Sequence, residues 1–378
     1  SPLKPIKTPL RTWHFTAQNV HDFVWASDPD YEHLVSEREG TKLNVIYKKK
    51  DARNDTLWMN VLDAANTVLP YINKRFGKYI YPQYSFIQGG DGGMEYPMAT
   101  LIKGPSLGTV FHEWMHSWYQ MMLATNEIQH PWMDEGFTSW AEAEVSAYYR
   151  AQKGMKSSEM LPLNHAPAYR NYMRLATSPY AEPMTTFSDH YNTNYGYSIN
   201  AYSKGEVFIE QLGYITGDSV RDKIMLEYYK HWKLKHPGPN DFIKIASDVS
   251  GLQLNWYKEY WINTTKTIDY KIDSIWEENG KSIIRLLRIG EMPMPVDLKL
   301  TFKDSSTELH YIPLDLMLGN KPPENTDKRV VHNPWNWTNR TYNVVFDRKI
   351  FDLRKVEIDP THRMADIDLT NSSLILNW

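Results

Sequence analysis

The chain has 378 residues, 42% of them hydrophobic and 23% charged, enough for a sizeable core and for two domains. A formal charge of -3 speaks against a nucleic-acid or anionic-membrane surface, and no apolar run approaches the roughly 20 residues of a membrane-spanning helix. There is no cysteine, which excludes disulfides, thiol nucleophiles and thiolate metal sites, so any metal must be held by His, Asp or Glu.

The opening SPLKPIKTPL has no apolar signal segment. TWHF, DFVWAS and LNVIYK read as short strands between turn-forming residues. From Asp55 the spacing of Leu57, Trp58, Val61, Leu62, Ala65, Val68 and Leu69 predicts a helix that stops at Gly77. YSFIQGG reads as a strand running into the glycine-rich turn QGGDGGMEYP. Helices are expected over about 106–124, 132–150 and 202–216, with more to about residue 263. Past Ile268 the pattern turns to strands: a hairpin signal at Asn279-Gly280, then VDLKLTF, ELHYIPL, YNVVF and KVEIDP. The fold class is α+β, a mostly helical domain with a sheet lobe over 41–265 and a β-sandwich over 266–378. The 25 Tyr and 14 Trp suit large core contacts, although aromatics such as Trp335 and Trp337 would also suit a sugar-binding surface.

FHEWMHSWYQ, residues 111–120, concentrates the chemistry. Residues i and i+4 of a helix share a face about 6 Å apart, so His112 and His116 can aim two imidazole nitrogens at one point. Two nitrogens at about 2.0–2.1 Å supply half of a zinc tetrahedron. Glu113 is rotated off that direction and can stand beside the metal as the base for a bound water. A chance HExxH in a chain of this length has a probability of roughly one in a hundred, so a third ligand is needed to carry the reading. Eighteen residues lie between His116 and Glu135, room for one helix to end and a second to return beside it. Glu135 would complete a two-His, one-Glu set and leave a fourth position open, as catalytic sites do. Glu142, two turns further on, could accept a hydrogen bond from a ligating imidazole, with Asp134 competing for that part. The plainer alternative for Glu142 and Glu144 is a solvated helix face.

HEWMH, the 18-residue gap, DEGFT and the following Glu142 together resemble the aminopeptidase N family of gluzincin zinc peptidases, which also includes the leukotriene hydrolases. GGMEYP at 92–97 is similar to the family's GxMEN motif, and AYSKGEVF at 201–208 to its Tyr-x-x-Gly segment; the resemblance covers about residues 10–265. It implies a thermolysin-like catalytic domain holding one Zn2+ ion on His112, His116 and Glu135. It implies release of amino-terminal residues from peptides with a free amino terminus, and no nucleic-acid or membrane partner; oligomeric state stays open. Glu113 would be the base. Tyr202, with Tyr197 as the alternative, would donate to the oxyanion. Glu95 would pair with the substrate's α-ammonium, while Gly92, Gly93 and Met94 lie along the peptide, although the glycines could equally serve only a tight turn. The motifs also depart from the family's: Tyr96 and Pro97 follow Glu95 where the family has Asn, and DEGFT replaces NEGFA. Tyr96 cannot repeat an amide's hydrogen bonds, so the family's first subsite does not carry over.

In this frame residues 1–40 read as junction strands of an N-terminal β-domain, and 266–378 as the small β-sandwich that follows the catalytic domain in some members. An open cleft and an extracytoplasmic location with a removed signal are further expectations. Two rival readings remain, a zinc endopeptidase with an impaired amine site and a non-catalytic peptide-binding protein on the same fold. The retention of His112, Glu113, His116, Glu135 and Tyr202 together speaks against the second.

Overall fold

Residues 12–155, 164–324 and 329–377 are described by the computed structural model. Strands β1 (Tyr31–Arg38), β2 (Thr41–Lys48), β3 (Gln83–Gln88), β4 (Gly93–Tyr96) and β5 (Ala99–Ile102) form one sheet in the order β1-β2-β3-β5-β4. β2, β3 and β5 are parallel, and the edge strands β1 and β4 each pair antiparallel with their neighbour. Parallel neighbours need a crossover. Helix α1 (Ala52–Arg75) supplies the one from β2 to β3, with the Asp51 side chain accepting from the Asn54 amide at 2.8 Å as its cap. Trp58, Val61, Ala65, Val68 and Leu69 form its buried face as the spacing predicts, while Leu57 points to solvent. Gly77 ends it with a φ of +111°, and a Cβ there would fall 2.1 Å from the Tyr229 ring.

The junction strands expected within 1–40 are not formed as such. Among the described residues no strand precedes Tyr31, and Trp13, Phe15, Phe23 and Trp25 of the TWHF and DFVWAS stretches are exposed. Aromatic residues favour strands only where a neighbouring strand and a packed face receive them, and these stretches have neither. A boundary at 40/41 would also cut the β1–β2 hairpin, whose register runs from Tyr31↔Lys48 to Arg38↔Thr41.

The helical part follows as α2 (Leu107–His116), α3 (Phe137–Gln152), α4 (Ala166–Ala176), α5 (Asn194–Ser198), α6 (Gly205–Thr216), α7 (Asp218–Trp232), α8 (Pro239–Ser250) and α9 (Asn255–Asn263). The three helices expected around the motifs are present, but each incorporates a π-helical turn. Ser117–Met121 continues α2, Trp132–Gly136 leads into α3, and Ile199–Lys204 joins α5 to α6. Such turns accommodate an extra residue in a helix and are frequent at functional sites.

Strands β6 (Tyr270–Glu278), β7 (Lys281–Arg288), β8 (Val296–Phe302), β9 (Thr307–Ile312), β10 (Arg329–Val331), β11 (Thr341–Phe346), β12 (Leu353–Ile358) and β13 (Ser373–Ile375) build two further sheets. Their orders are β11-β7-β6 and β10-β9-β8-β12-β13. Asn279 and Gly280 turn the β6–β7 hairpin with φ of 50° and 75°, the two left-handed conformations that this dipeptide tolerates. Trp335 is buried against Tyr270 rather than offered to a sugar, whereas Trp337 is partly exposed. The module is fastened to α4 and α6: Tyr169 and Gln211 both donate to the Arg363 carbonyl, and the Ala365 amide donates to Gln211 Oε1 at 3.0 Å.

Candidate metal centre

α2 packs against α3 and β4, which brings the motif residues of three elements together. His112 and His116 project from one face of α2, their Nε2 atoms 3.2 Å apart. Glu135, inside the π-helical turn before α3, places Oε2 at 3.2 Å from His112 Nε2 and 3.3 Å from His116 Nε2. A tetrahedral ion with ligands at about 2.0–2.1 Å requires donors about 3.3–3.4 Å apart. The three atoms therefore stand at the corners of one face of such a tetrahedron. The donor chemistry, two imidazoles and one carboxylate, is that of a zinc site with an open position.

The imidazole of His116 is held from behind. Its Nδ1 lies 2.5 Å from Asp134 Oδ1, which places the ring hydrogen there and leaves Nε2 as the lone pair facing Glu135. Thr138 Oγ1 stands 3.3 Å from the same Nδ1. Of the two carboxylates weighed for this part, Asp134 is in place. Glu142 accepts from Ser146 Oγ at 2.8 Å and makes no hydrogen bond to His112 among the described residues. Burial disfavours the His116 imidazolium, but the Asp134 and Glu135 charges outweigh it and raise its basicity. Glu135 is buried too, yet the His112 and His116 imidazoles beside it hold it well below the usual carboxylate range, so it stays an anion.

Glu113 is buried beside the ligand set, with Oε2 lacking any hydrogen-bond partner among the described residues. Burial pushes its carboxyl up, and despite the opposing charge of His116 it reaches about 7 with Glu95 and Glu135 nearby. Gly93 explains how the side chain fits: a Cβ there would fall 2.1 Å from Glu113 Oε1. Glu95 of β4 reaches the same space, its carboxylate within 4.8 Å of ligand atoms of Glu113 and His116. Met94 of the same strand is exposed, and Gly92 just before it has open space on its Cβ side. Tyr202 sits in the third π-helical turn and donates its hydroxyl hydrogen to Glu135 Oε1 at 2.6 Å. Burial, then the Glu135 charge, keep the phenol protonated. Tyr197 packs on Tyr191, its hydroxyl pushed up to about 12 by burial and by the Glu135 charge.

Residues 98–261 match the model of the Peptidase family M1 domain. This stretch, under half of the chain, is similar to that family. Its sequence relatives include rat aminopeptidase B, 23% identical over 224 residues that cover 50% of this chain and 32% of that protein. A leukotriene A-4 hydrolase homolog from Botryotinia fuckeliana is 26% identical over 171 residues, 40% of this chain and 24% of that one. The chain spans about a third or less of the length of these curated relatives. A solved structure of aminopeptidase A from Legionella pneumophila superposes with a TM-score of 0.58 at 10% identity, over 89% of this chain and 38% of that one, which shows the shared fold.

Sequence reasoning missed what lies behind the ligand helices. Glu144, expected on a solvated face, pairs with Arg75 and with His165 Nε2 at 3.1 Å. His165 carried no motif; only its place at the cap of α4 is visible in the chain. Gly136 and Gly205 stand inside the quoted motifs DEGFT and AYSKGEVF, but the motifs do not say what the two glycines meet.

Proposed function

We propose that the chain is a zinc aminopeptidase, hydrolysing peptide bonds next to a free amino terminus. The observation that carries this is the convergence of His112 Nε2, His116 Nε2 and Glu135 Oε2 beside Glu113, with Glu95 on the adjoining edge strand. Zinc bound by the three donors would supply Lewis acidity and a bound water that ionises near neutral pH. Glu113 takes the proton of the attacking water and returns it to the departing amine. The Tyr202 hydroxyl turns from Glu135 to the oxygen of the scissile carbonyl and donates to it as charge develops. An extended substrate adds to the edge strand β4, which directs its amino end to Glu95. The Glu95 carboxylate pairs with the α-ammonium, a charge that an internal peptide segment does not offer.

Cleavage of one peptide with its amino terminus free and acetylated tests the reading. Only the free form is expected to be cut, in a reaction that chelator stops and zinc restores. Equal cleavage of both would leave an endopeptidase, and Glu95→Gln leaving the preference unchanged would remove Glu95 from the amine site.

Gly93→Ala tests the geometry around the base. The added Cβ drives Glu113 from its place, and a displacement of about 1 Å costs roughly 100-fold in turnover. Zinc content should stay at one per chain, because Gly93 borders the base and not the ligands. Unchanged steady-state kinetics in this variant would mean that Glu113 acts from another position.

A further inference from the structure

We propose that Gly136 and Gly205 are positioning residues for the metal centre: their backbone contact holds Tyr202 against the outer oxygen of Glu135 and so turns the inner oxygen toward the two imidazoles. The proposal rests on the zinc reading above and deepens it.

The π-helical turn Trp132–Gly136 packs on the turn Ile199–Lys204 and on the start of α6, and a glycine stands on each side where they meet, Gly136 and Gly205. A Cβ on Gly136 would lie 2.5 Å from Gly205 Cα and 2.8 Å from the Ala201 carbonyl oxygen. A Cβ on Gly205 would lie 2.7 Å from Gly136 Cα and 3.1 Å from the Trp132 carbonyl oxygen. These obstacles are backbone and cannot swing aside as a flexible side chain can. Conformational freedom is not what the two positions require, since Gly136 has φ -72° and ψ -42° and Gly205 φ -65° and ψ -40°, ordinary helical values for any residue. Close approach is the remaining reason for glycine at both.

That approach sets one distance. Glu135 immediately precedes Gly136 and Tyr202 lies three residues before Gly205, so the crossing fixes how far apart the two side chains start. At the observed separation Tyr202 donates to Oε1 at 2.6 Å, and Oε2 is left at 3.2 and 3.3 Å from the imidazole nitrogens. A glutamate carboxylate rotates readily about its last bond, and a donor on one oxygen selects which oxygen is presented to the metal. His116 has Asp134 for this purpose and Glu135 has Tyr202. A methyl group at the crossing must push the turns apart, and a 2.6 Å bond does not survive a shift of an ångström.

Zinc affinity, measured by competition with a chromogenic chelator, tests this on the full chain, on Gly205→Ala, on Tyr202→Phe and on the double variant. Each single change is expected to weaken zinc binding by about 10–100-fold, with the double variant no weaker than the weaker single, because both act through one contact. Losses that multiply in the double variant would overturn the proposal. So would a Gly205→Ala protein that melts earlier when zinc-free yet binds zinc as before, since the glycines would then serve packing alone. Should Gly205→Ala not fold, Gly136→Ala and Tyr202→Phe decide, and unaltered affinity in Tyr202→Phe overturns the proposal by itself. Failure of the underlying zinc reading looks different: the unaltered chain would then bind no stoichiometric zinc.

Discussion

Glu113→Gln is expected to lower turnover by about 10³-fold or more while leaving one zinc per chain. Glutamine has the shape of glutamate but cannot take a proton, so the loss isolates proton transfer from packing. The site makes the large effect necessary. Glu113 Oε2 is buried without a hydrogen-bond partner among the described residues, and of the other carboxylates beside the ligand set Asp134 is taken up by His116 Nδ1 and Glu95 by the proposed amine site. The ligand atoms belong to His112, His116 and Glu135, so zinc retention separates a lost base from a collapsed centre. Metal analysis and steady-state kinetics on the same preparation check both halves. Turnover within tenfold of the unaltered chain would assign the proton transfer elsewhere, and loss of zinc would make Glu113 part of the metal site.

The second large effect is on stability and lies behind the ligands. His165 is 2% exposed, with Nδ1 2.8 Å from Glu206 Oε1 and Nε2 3.1 Å from Glu144 Oε1. Glu210 adds its charge at 3.6 Å and is itself bound to Arg221 at 2.8 Å, while Glu144 is bound to Arg75, which also meets Asp222 at 3.1 Å. Burial disfavours the imidazolium, but Glu210, Glu144 and Glu206 outweigh it and raise its pKa from 6.5 to about 10. A folded value above the unfolded one stabilises the protein fully below about pH 6.5, and this contribution is lost as pH rises through about 10. Replacing His165 by Gln strands buried carboxylates, which costs on the order of 3–5 kcal/mol. Urea unfolding at pH 6 should show that gap between the two proteins, and the gap should narrow toward pH 10. An equal gap at both values would mean that His165 contributes shape and not charge.

The ligand set was legible in the chain because it obeys short rules. His112 and His116 are four apart on an apolar helix, and Glu135 follows at a spacing that one helical return can bridge. The hairpin at Asn279-Gly280 and the helix ending at Gly77 were legible for the same reason, since each depends on a few neighbouring residues. What escaped depends on contacts distant in sequence. TWHF and DFVWAS have strand composition, but composition does not say whether a partner strand is there to receive them. Helical spacing offered Glu142, with Asp134 competing, and the fold at the π-helical turn Trp132–Gly136 is what puts Asp134 on His116. Glu144 looked solvated because its partners Arg75 and His165 come from α1 and the start of α4.

The π-helical turns also make chain length a variable of the chemistry. An α-helix advances by about 100° per residue, so removing one residue rotates everything beyond the cut by that angle relative to what precedes it. Within Trp132–Gly136 or Ile199–Lys204 a single deletion would let the helix regain regular geometry and keep nearly all of its apolar composition. Backbone hydrogen bonding would improve locally. Yet Glu135 or Tyr202 would face a different direction, and the tetrahedral face would lose a corner or its support. At these two turns an insertion or deletion is therefore a more severe event than most substitutions, and the extra residue that each turn carries is part of the site.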